Sequence, residues 1–213
     1  MENVLVAGAN GTTGKQVVKL LKSSQYFNPI AMVRKEDQQE QFKNDGVDTV
    51  LADLTENLTH AVNNVDKVVF AAGSGGKNVV EVDQEGAKRL IAVSKMANVN
   101  RFVMLSSMGA DNPEAAEDLK DYLKAKQNAD EHLIDSGLKY TIVRPGTLNN
   151  SNGKGKIELK EKLNKDGEIS RADVAQTLVR ALHDDAPYNV TFEILEGDTF
   201  IGDAMNNLNA TVN

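Results

Sequence analysis

The chain is 213 residues long, 40% hydrophobic and 26% charged, with a net charge of −7. Length and balance suit one soluble globular domain over residues 1–213, with a real core and a modest extension, while the acidic excess argues against nucleic acid or an anionic membrane surface as the main partner. There is no cysteine, which excludes disulfides and thiolate chemistry.

The first apolar run, Val4–Ala7, predicts a strand entered so early that no room is left for a signal peptide. No apolar run approaches the ~18–20 residues that span a bilayer, and a cytoplasmic location is expected. The run ends in three glycines spaced three apart, Gly8, Gly11 and Gly14, and apolar residues at helical spacing then predict a helix over Thr12–Ser23. Pro29–Val33 is a second strand, with Pro29 at its beginning where no ladder donor is lost. A polar helix over Glu36–Asn44, a short strand at Thr49–Leu51 and a short helix at Asn57–Asn64 follow. Lys67–Ala72 is a continuously apolar fourth strand, as expected for one buried on both faces. Gly73–Gly76 is a flexible loop. A long helix runs from Val79 to Ala97, with Leu90, Ile91 and Met96 on its apolar stripe.

Arg101–Ser106 is the fifth strand. Pro113 suits the first turn of the next helix, Glu114, Glu117 and Asp118 complement its positive end, and Gly137 caps its C-terminus. Tyr140–Val143 is the sixth strand, closed by Arg144-Pro145-Gly146. Beyond it, Asn149–Gly155 is loop-like and Lys156–Lys160 a small strand. Ser170 N-caps a helix from Arg171 to about His183, Val190–Leu195 is a last strand, and Asn206–Asn213 has little to pack and is expected to fray. His60, His132 and His183 stand far apart without companion spacing, so no metal site is expected. Six strands alternating with helices imply an α/β fold: a doubly wound parallel sheet of the Rossmann type with right-handed crossovers, and residues 147–213 as a small substrate-side region. In such sheets ligands bind at the carboxyl ends of the strands, near the switch in strand order.

Strand, glycine turn and helix form the context in which a glycine fingerprint means dinucleotide binding. Gly8 allows the sharp turn, Gly11 has no side chain to keep a pyrophosphate from the backbone, and Gly14 lets helix and strand pack closely. Asn10, Thr12 and Thr13 complete the turn, and the helix N-terminus offers free N–H groups to the phosphates. Strand two ends in Val33-Arg34-Lys35, where nicotinamide–adenine dinucleotide binders usually carry an acid about 20 residues past the glycines. A guanidinium at Arg34 favours a 2′-phosphate, so the sequence favours NADP over NAD. The bland alternative is that Arg34 and Lys35 are solvated surface residues. Asp53 can accept from an adenine amino group while the backbone of Leu54 meets the ring, or it can cap a helix. Ala71, Ala72 and Gly73 either let a ribose pass close to the backbone or simply pack tightly.

Tyr122 and Lys126 lie four apart on one helix face, and the preceding strand ends in Ser106-Ser107. A free tyrosine, with its pKa ~10, is a poor acid–base group at neutral pH, and a nearby ammonium favours the phenolate. A serine hydroxyl can hold a carbonyl oxygen as charge builds on it. The trio suits proton transfer coupled to hydride transfer. The alternative is a Tyr122 packed on the core and a solvated Lys126.

Taken together, Gly8-x-x-Gly11-x-x-Gly14, Phe70-Ala71-Ala72-Gly73, Asp83-x-x-Gly86, Ser106-Ser107, Tyr122-x-x-x-Lys126, Arg144-Pro145-Gly146 and the helix start at Ile169–Ala175 resemble the short-chain dehydrogenase/reductase superfamily in its atypical or extended branch. Within it, the chain is similar to small NAD(P)-binding proteins of the biliverdin reductase B and NmrA-like kinds. The resemblance implies Tyr122 as proton donor or acceptor and Lys126 as the group that lowers its pKa and binds the nicotinamide ribose. It implies Ser107, rather than Ser106, as the substrate-orienting serine, and Pro145 and Gly146 beside the nicotinamide. The tail after Gly146 is too short for a large sugar-nucleotide pocket. The expected activity is NADP-dependent hydride transfer to or from a small carbonyl, alcohol or quinone-like substrate. Two rivals stay open: a non-catalytic cofactor sensor, and an epimerase or dehydratase with tightly held NAD. The Pro113–Ser136 helix could serve as a homodimer face.

Overall fold

A computed structural model describes residues 1–211, the side chains of 209–211 excepted. In chain order the elements are β1 (Glu2–Ala7), α1 (Thr12–Lys22), β2 (Phe27–Val33), α2 (Glu36–Asn44), β3 (Asp48–Leu51), β4 (Lys67–Phe70), α3 (Gly86–Met96), β5 (Arg101–Leu105), α4 (Lys120–Asp135), β6 (Tyr140–Pro145), β7 (Thr147–Asn149), β8 (Lys156–Lys160), β9 (Glu168–Ser170), α5 (Arg171–Arg180), β10 (Val190–Glu196), β11 (Thr199–Phe200) and α6 (Ile201–Thr211). One nine-stranded sheet has the order β11-β8-β10-β6-β5-β4-β1-β2-β3, and β7 pairs with β9 apart from it. From β10 to β3 every pairing is parallel, while β8 and β11 are antiparallel additions at one edge. The chain winds from β1 outward to β3, then returns to place β4 on the other side of β1. The switch in strand order therefore lies between β1 and β4, at the end of the glycine turn.

The central strands are apolar throughout because both of their faces are covered. Val4, Val6, Val69, Val103 and Val143 pack towards α1 and α5. The alternate residues Leu5, Val68, Phe70, Met104 and Ile142 pack towards α3 and α4. Period-two alternation thus feeds two cores from one sheet. Among the described residues, no helix is long and apolar enough to cross a membrane.

Several local expectations need correction. β2 begins at Phe27, so Pro29 lies inside it, paired with Val4. The β3 pairing starts only at Ile30, so β2 is still an edge on that side at Pro29 and the missing N–H is tolerated. Asn57–Asn64 forms only a 3₁₀ turn at Thr59–Val62. The long helix opens with a wide π-helical segment, Val79–Glu85, before α3, and Met96 is 78% exposed rather than on the buried stripe. Pro113 starts a separate 3₁₀ turn, and Ala116 and a second 3₁₀ turn, Glu117–Leu119, part it from α4. α5 stops at Arg180, short of His183. Asn149 ends the short strand β7 instead of opening a loop. The tail forms α6, which seats Ile201, Ala204, Met205 and Leu208 against the core, a helical spacing of apolar residues. Residues 212 and 213 of the expected frayed end lie outside the described residues.

At the edge opposite the glycine turn, two buried cations fasten the end of α5. Lys67 donates to Leu182 O at 2.8 Å and pairs with Glu2 and Asp184, each at 2.7 Å. Arg101 donates to Ala181 O and Ala186 O at 3.0 and 3.2 Å. Cations at a helix C-terminus meet the negative end of its dipole. The Lys67 hydrogen bond and charge hold the Asp184 carboxyl below its ordinary range. A carboxylate depressed in the folded state adds stability above its unfolded pKa, and that stability is lost as pH falls through the folded value. Lys67→Met is expected to cost about 1–3 kcal/mol at neutral pH, since Leu182 O loses its buried donor. It should also flatten the loss of stability below about pH 4, both read by urea unfolding across that range.

Candidate active site at the strand ends

The glycine turn is held by backbone touching backbone. Gly8 has φ +81°, and a Cβ there would come within 2.6 Å of the Ala72 backbone. A Cβ on Gly14 would come within 2.1 Å of Gly8 O. Gly11 is different: its Cβ would meet only Gly8 O, at 3.2 Å, with nothing else within 4 Å, so its outer side is open. Gly11 is also the N-cap of α1, in an extended conformation, with no side chain capping the helix and no acid in its first turn. Gly11 N donates to Gly8 O, and Lys15 N closes the first turn on Gly11 O, each at 2.9 Å. The N–H groups of Thr12, Thr13 and Gly14 precede the first intrahelical donor, which leaves them for an anion. These features fit the diphosphate of a dinucleotide.

The flanking candidates divide. Arg34 is exposed at the end of β2, and its guanidinium has no ion pair among the described residues. Glu36 and Asp37 lie in the first turn of α2, where its dipole favours them. Asp53 takes both the N–H and the hydroxyl of Thr55 on one oxygen, each at 2.9 Å, so it closes a turn and caps no helix, the next helical turn starting only at Thr59. Leu54 O accepts from Arg89 at 3.0 Å. The backbone of Ala71 and Ala72 forms the surface on which Gly8 rests. A Cβ on Gly73 would stand 3.3 Å from Asp83 Oδ1. Gly146 is required by packing, because its Cβ would come within 2.4 Å of Leu195 and 2.5 Å of Gly167 O. Pro145 is buried and its carbonyl accepts from Met108 N at 3.0 Å.

α4 brings Tyr122 and Lys126 together. Lys126 Nζ lies 5.7 Å from the centre of the half-buried Tyr122 ring. Lys126 is not solvated, as the bland reading supposed, but 4% exposed. It donates to Leu105 O at 3.3 Å and stands 3.7 Å from Asp83 Oδ1. Asp83 sits in the π-helical segment, 1% exposed. Its other oxygen accepts from Ser74 N at 2.9 Å, while Oδ1 has no hydrogen bond. Beside it, Asn128 of α4 donates to Gln84 at 2.6 Å. The two serines of β5 part ways: Ser106 is buried and donates to Asp130 at 2.8 Å, whereas Ser107 is half-buried on the strand-end loop and donates to Met108 O at 3.2 Å. Arg144 donates to the same Asp130 oxygen from Nε and one terminal nitrogen, at 3.0 and 2.9 Å. Burial pushes the Asp130 carboxyl up, against the pull of Arg144, Ser106 and Lys126.

Sequence reasoning noted Asp83 and Arg144 only as parts of motifs and passed over Asp130. A signal was present. Asp130 follows Lys126 by one helical turn within a stripe of Leu123, Ala129 and Leu133 that is buried, and an acid on such a stripe needs a partner.

The model of a family described as NAD(P)H-binding matches residues 8–185. The chain is 39% identical to the uncharacterized sugar epimerase YhfK of Bacillus subtilis, over 96% of this chain and 99% of that one. It is 27% identical to sanguinarine reductase of Eschscholzia californica, over 97% and 93%. A solved structure from Bacillus halodurans, provisionally assigned to the NAD-dependent epimerases/dehydratases, superposes with a TM-score of 0.93 at 36% identity, covering 97% of this chain and 100% of that one.

The buried pair gives a test of its own. Lys126→Met is expected to destabilise the protein by about 3–5 kcal/mol, because it leaves the Asp83 carboxylate uncompensated. Asp83→Asn combined with Lys126→Met should recover part of that loss in urea unfolding. Additive losses would contradict the coupling.

Proposed function

We propose that this chain, which belongs to the NAD(P)H-binding family and resembles its atypical short-chain dehydrogenase/reductase members, is an NADP(H)-dependent reductase of small carbonyl or quinone-like substrates. The observation that carries this reading is the Tyr122–Lys126 pair, with its ammonium buried, on the sheet edge where the glycine turn opens. A bound nicotinamide nucleotide supplies or accepts the hydride. Tyr122 is taken to give its hydroxyl proton to the substrate oxygen, with the Lys126 ammonium 5.7 Å from the centre of its ring. Ser107 donates to the same oxygen as negative charge grows there. Asp83 and Leu105 O hold the ammonium in place from behind. Arg34, unpaired and exposed, supports recognition of a 2′-phosphate. The likeness to a named reductase over nearly the full length of both chains supports the same reading.

The epimerase or dehydratase reading draws on the names of the two Bacillus relatives. It predicts cofactor retained through purification and no net consumption of NADPH. The sensor reading predicts NADPH binding without turnover on any carbonyl.

Tyr122→Phe should lower turnover by about 10²–10⁴-fold, the usual worth of general acid–base catalysis, with NADPH affinity nearly unchanged. Turnover equal to wild type would remove Tyr122 from the mechanism. Arg34→Ala should weaken NADPH binding by about tenfold or more while sparing NADH, the loss expected for one charge-assisted phosphate contact. Equal losses for both nucleotides, measured by calorimetry, would contradict the NADP preference.

A further inference from the structure

The loop that carries Ser107 runs from Ser106 to Asn112, between β5 and the turn at Pro113. Its inner half is tied to β6 through Met108 N and Pro145 O, at 3.0 Å. Its outer half has only local turns, from Ala110 N to Ser107 O and from Asn112 N to Gly109 O. Among the described residues, both long-range ion pairs that reach that outer half are made by Asp111, and the closer of them is the tether to Lys162. Asp111 pairs with Lys162 in the loop after β8, fifty-one residues further along the chain.

Both sides of this tether are anchored on buried carboxylates. Lys162 also lies 3.4 Å from Glu193 Oε1, and Glu193, 1% exposed in β10, accepts from Leu163 N at 2.7 Å. Asp111 stands 4.0 Å from Arg144 Nη1, and Arg144 is gripped by Asp130, also 1% exposed. Charges alternate along the chain Asp130, Arg144, Asp111, Lys162, Glu193. Burial raises the Asp111 pKa, but the Lys162 hydrogen bond and charge more than offset it, and the carboxyl lies below its ordinary range. An isolated exposed pair contributes little. This one has each partner held by a second charge fixed in the core, so less side-chain entropy is lost in forming it.

We propose that Asp111 and Lys162 are positioning residues: their ion pair straps the Ser107 loop to the substrate-side segment and holds the Ser107 hydroxyl in its working place. The strap touches neither cofactor nor substrate and acts through the loop. It gives the region beyond β6 a role other than walling the site. The role assigned to Ser107 rests on the reductase reading, whereas the mechanical strap does not.

The test uses the full chain and five variants: Asp111→Asn, Lys162→Met, the two combined, Lys162→Arg, and Lys165→Met as a control. Lys165 pairs with Glu158 on the same substrate-side segment and does not reach the Ser107 loop. Hydrogen exchange at Met108, Ala110 and Asn112 is followed together with NADPH consumption using phenanthrenequinone as the probe. Asp111→Asn and Lys162→Met should each speed exchange at Ala110 and Asn112 about fivefold, the population change that one such pair can support. The combined variant should be no worse than either alone, and Lys162→Arg and Lys165→Met should match wild type. The turnover number should fall by a similar factor while NADPH affinity stays unchanged, a split that general destabilisation would not produce. Exchange equal to wild type in every variant overturns the strap, and faster exchange with turnover unchanged overturns its role in positioning Ser107. A wild-type protein that consumes no NADPH sinks the reductase reading instead, and the exchange arm then decides the strap alone.

Discussion

Everything at the functional edge depends on three stretches of backbone meeting without side chains between them. The end of β1, the start of α1 and the residues after β4 converge at Gly8, Gly14 and Ala72, at distances that no Cβ could enter. This contact brings the N-terminus of α1 to the point where the strand order reverses. It also sets the line along which β4 and β5 end, and so where Ser74, Asp83 and Leu105 stand. A side chain at Gly8 or Gly14 would push the helix away, and the glycine turn and α4 would lose their common frame.

On that frame, α4 carries a charge into the interior. Lys126 has one carbonyl and one carboxylate near it, and the facing Asp83 oxygen has no hydrogen bond of its own. A buried cation with spare donors beside a carboxylate oxygen with spare capacity is costly in an idle protein. It is the kind of arrangement that working sites retain. Asp130 forms the second layer, since one of its oxygens serves both Ser106 and Arg144. Ser106 is therefore committed to structure, which leaves Ser107 as the hydroxyl on the strand-end loop. The acid that fixes one serine also steadies the arginine at the end of β6.

Much of this was legible in the sequence because it rests on local rules. The glycine spacing, the apolar strands and the Ser170 cap each follow from backbone geometry or burial at a single place. The four-residue step from Tyr122 to Lys126 placed both on one helix face. The rest depends on partners distant in the chain. Nothing near Lys126 announces that Asp83 will bury it, and nothing near Arg144 announces Asp130. The sequence pattern offered two explanations for Ala71, Ala72 and Asp53; what it could not show is that Gly8 packs on the backbone of the alanines and that Asp53 closes a turn on Thr55. Pro29 looked like a strand boundary because its neighbour's register was not visible. The helix at Ile201–Thr211 was missed because its asparagines obscured the apolar spacing of Ile201, Ala204, Met205 and Leu208.

The central claim is that a nicotinamide nucleotide rests its diphosphate on the open face of Gly11 at the head of α1. Gly11→Asp isolates that claim. The position has an ordinary extended backbone, and a Cβ there would crowd one atom, Gly8 O at 3.2 Å, which must give by a few tenths of an ångström; aspartate is among the best N-caps and offsets that crowding, and urea unfolding checks that the variant is folded. A carboxylate there would nonetheless occupy the N–H groups and repel phosphate. Calorimetric titration with NADPH is the direct measurement: wild type should bind and the folded Gly11→Asp variant should not. Binding of equal strength by both proteins, or by neither, would contradict the account.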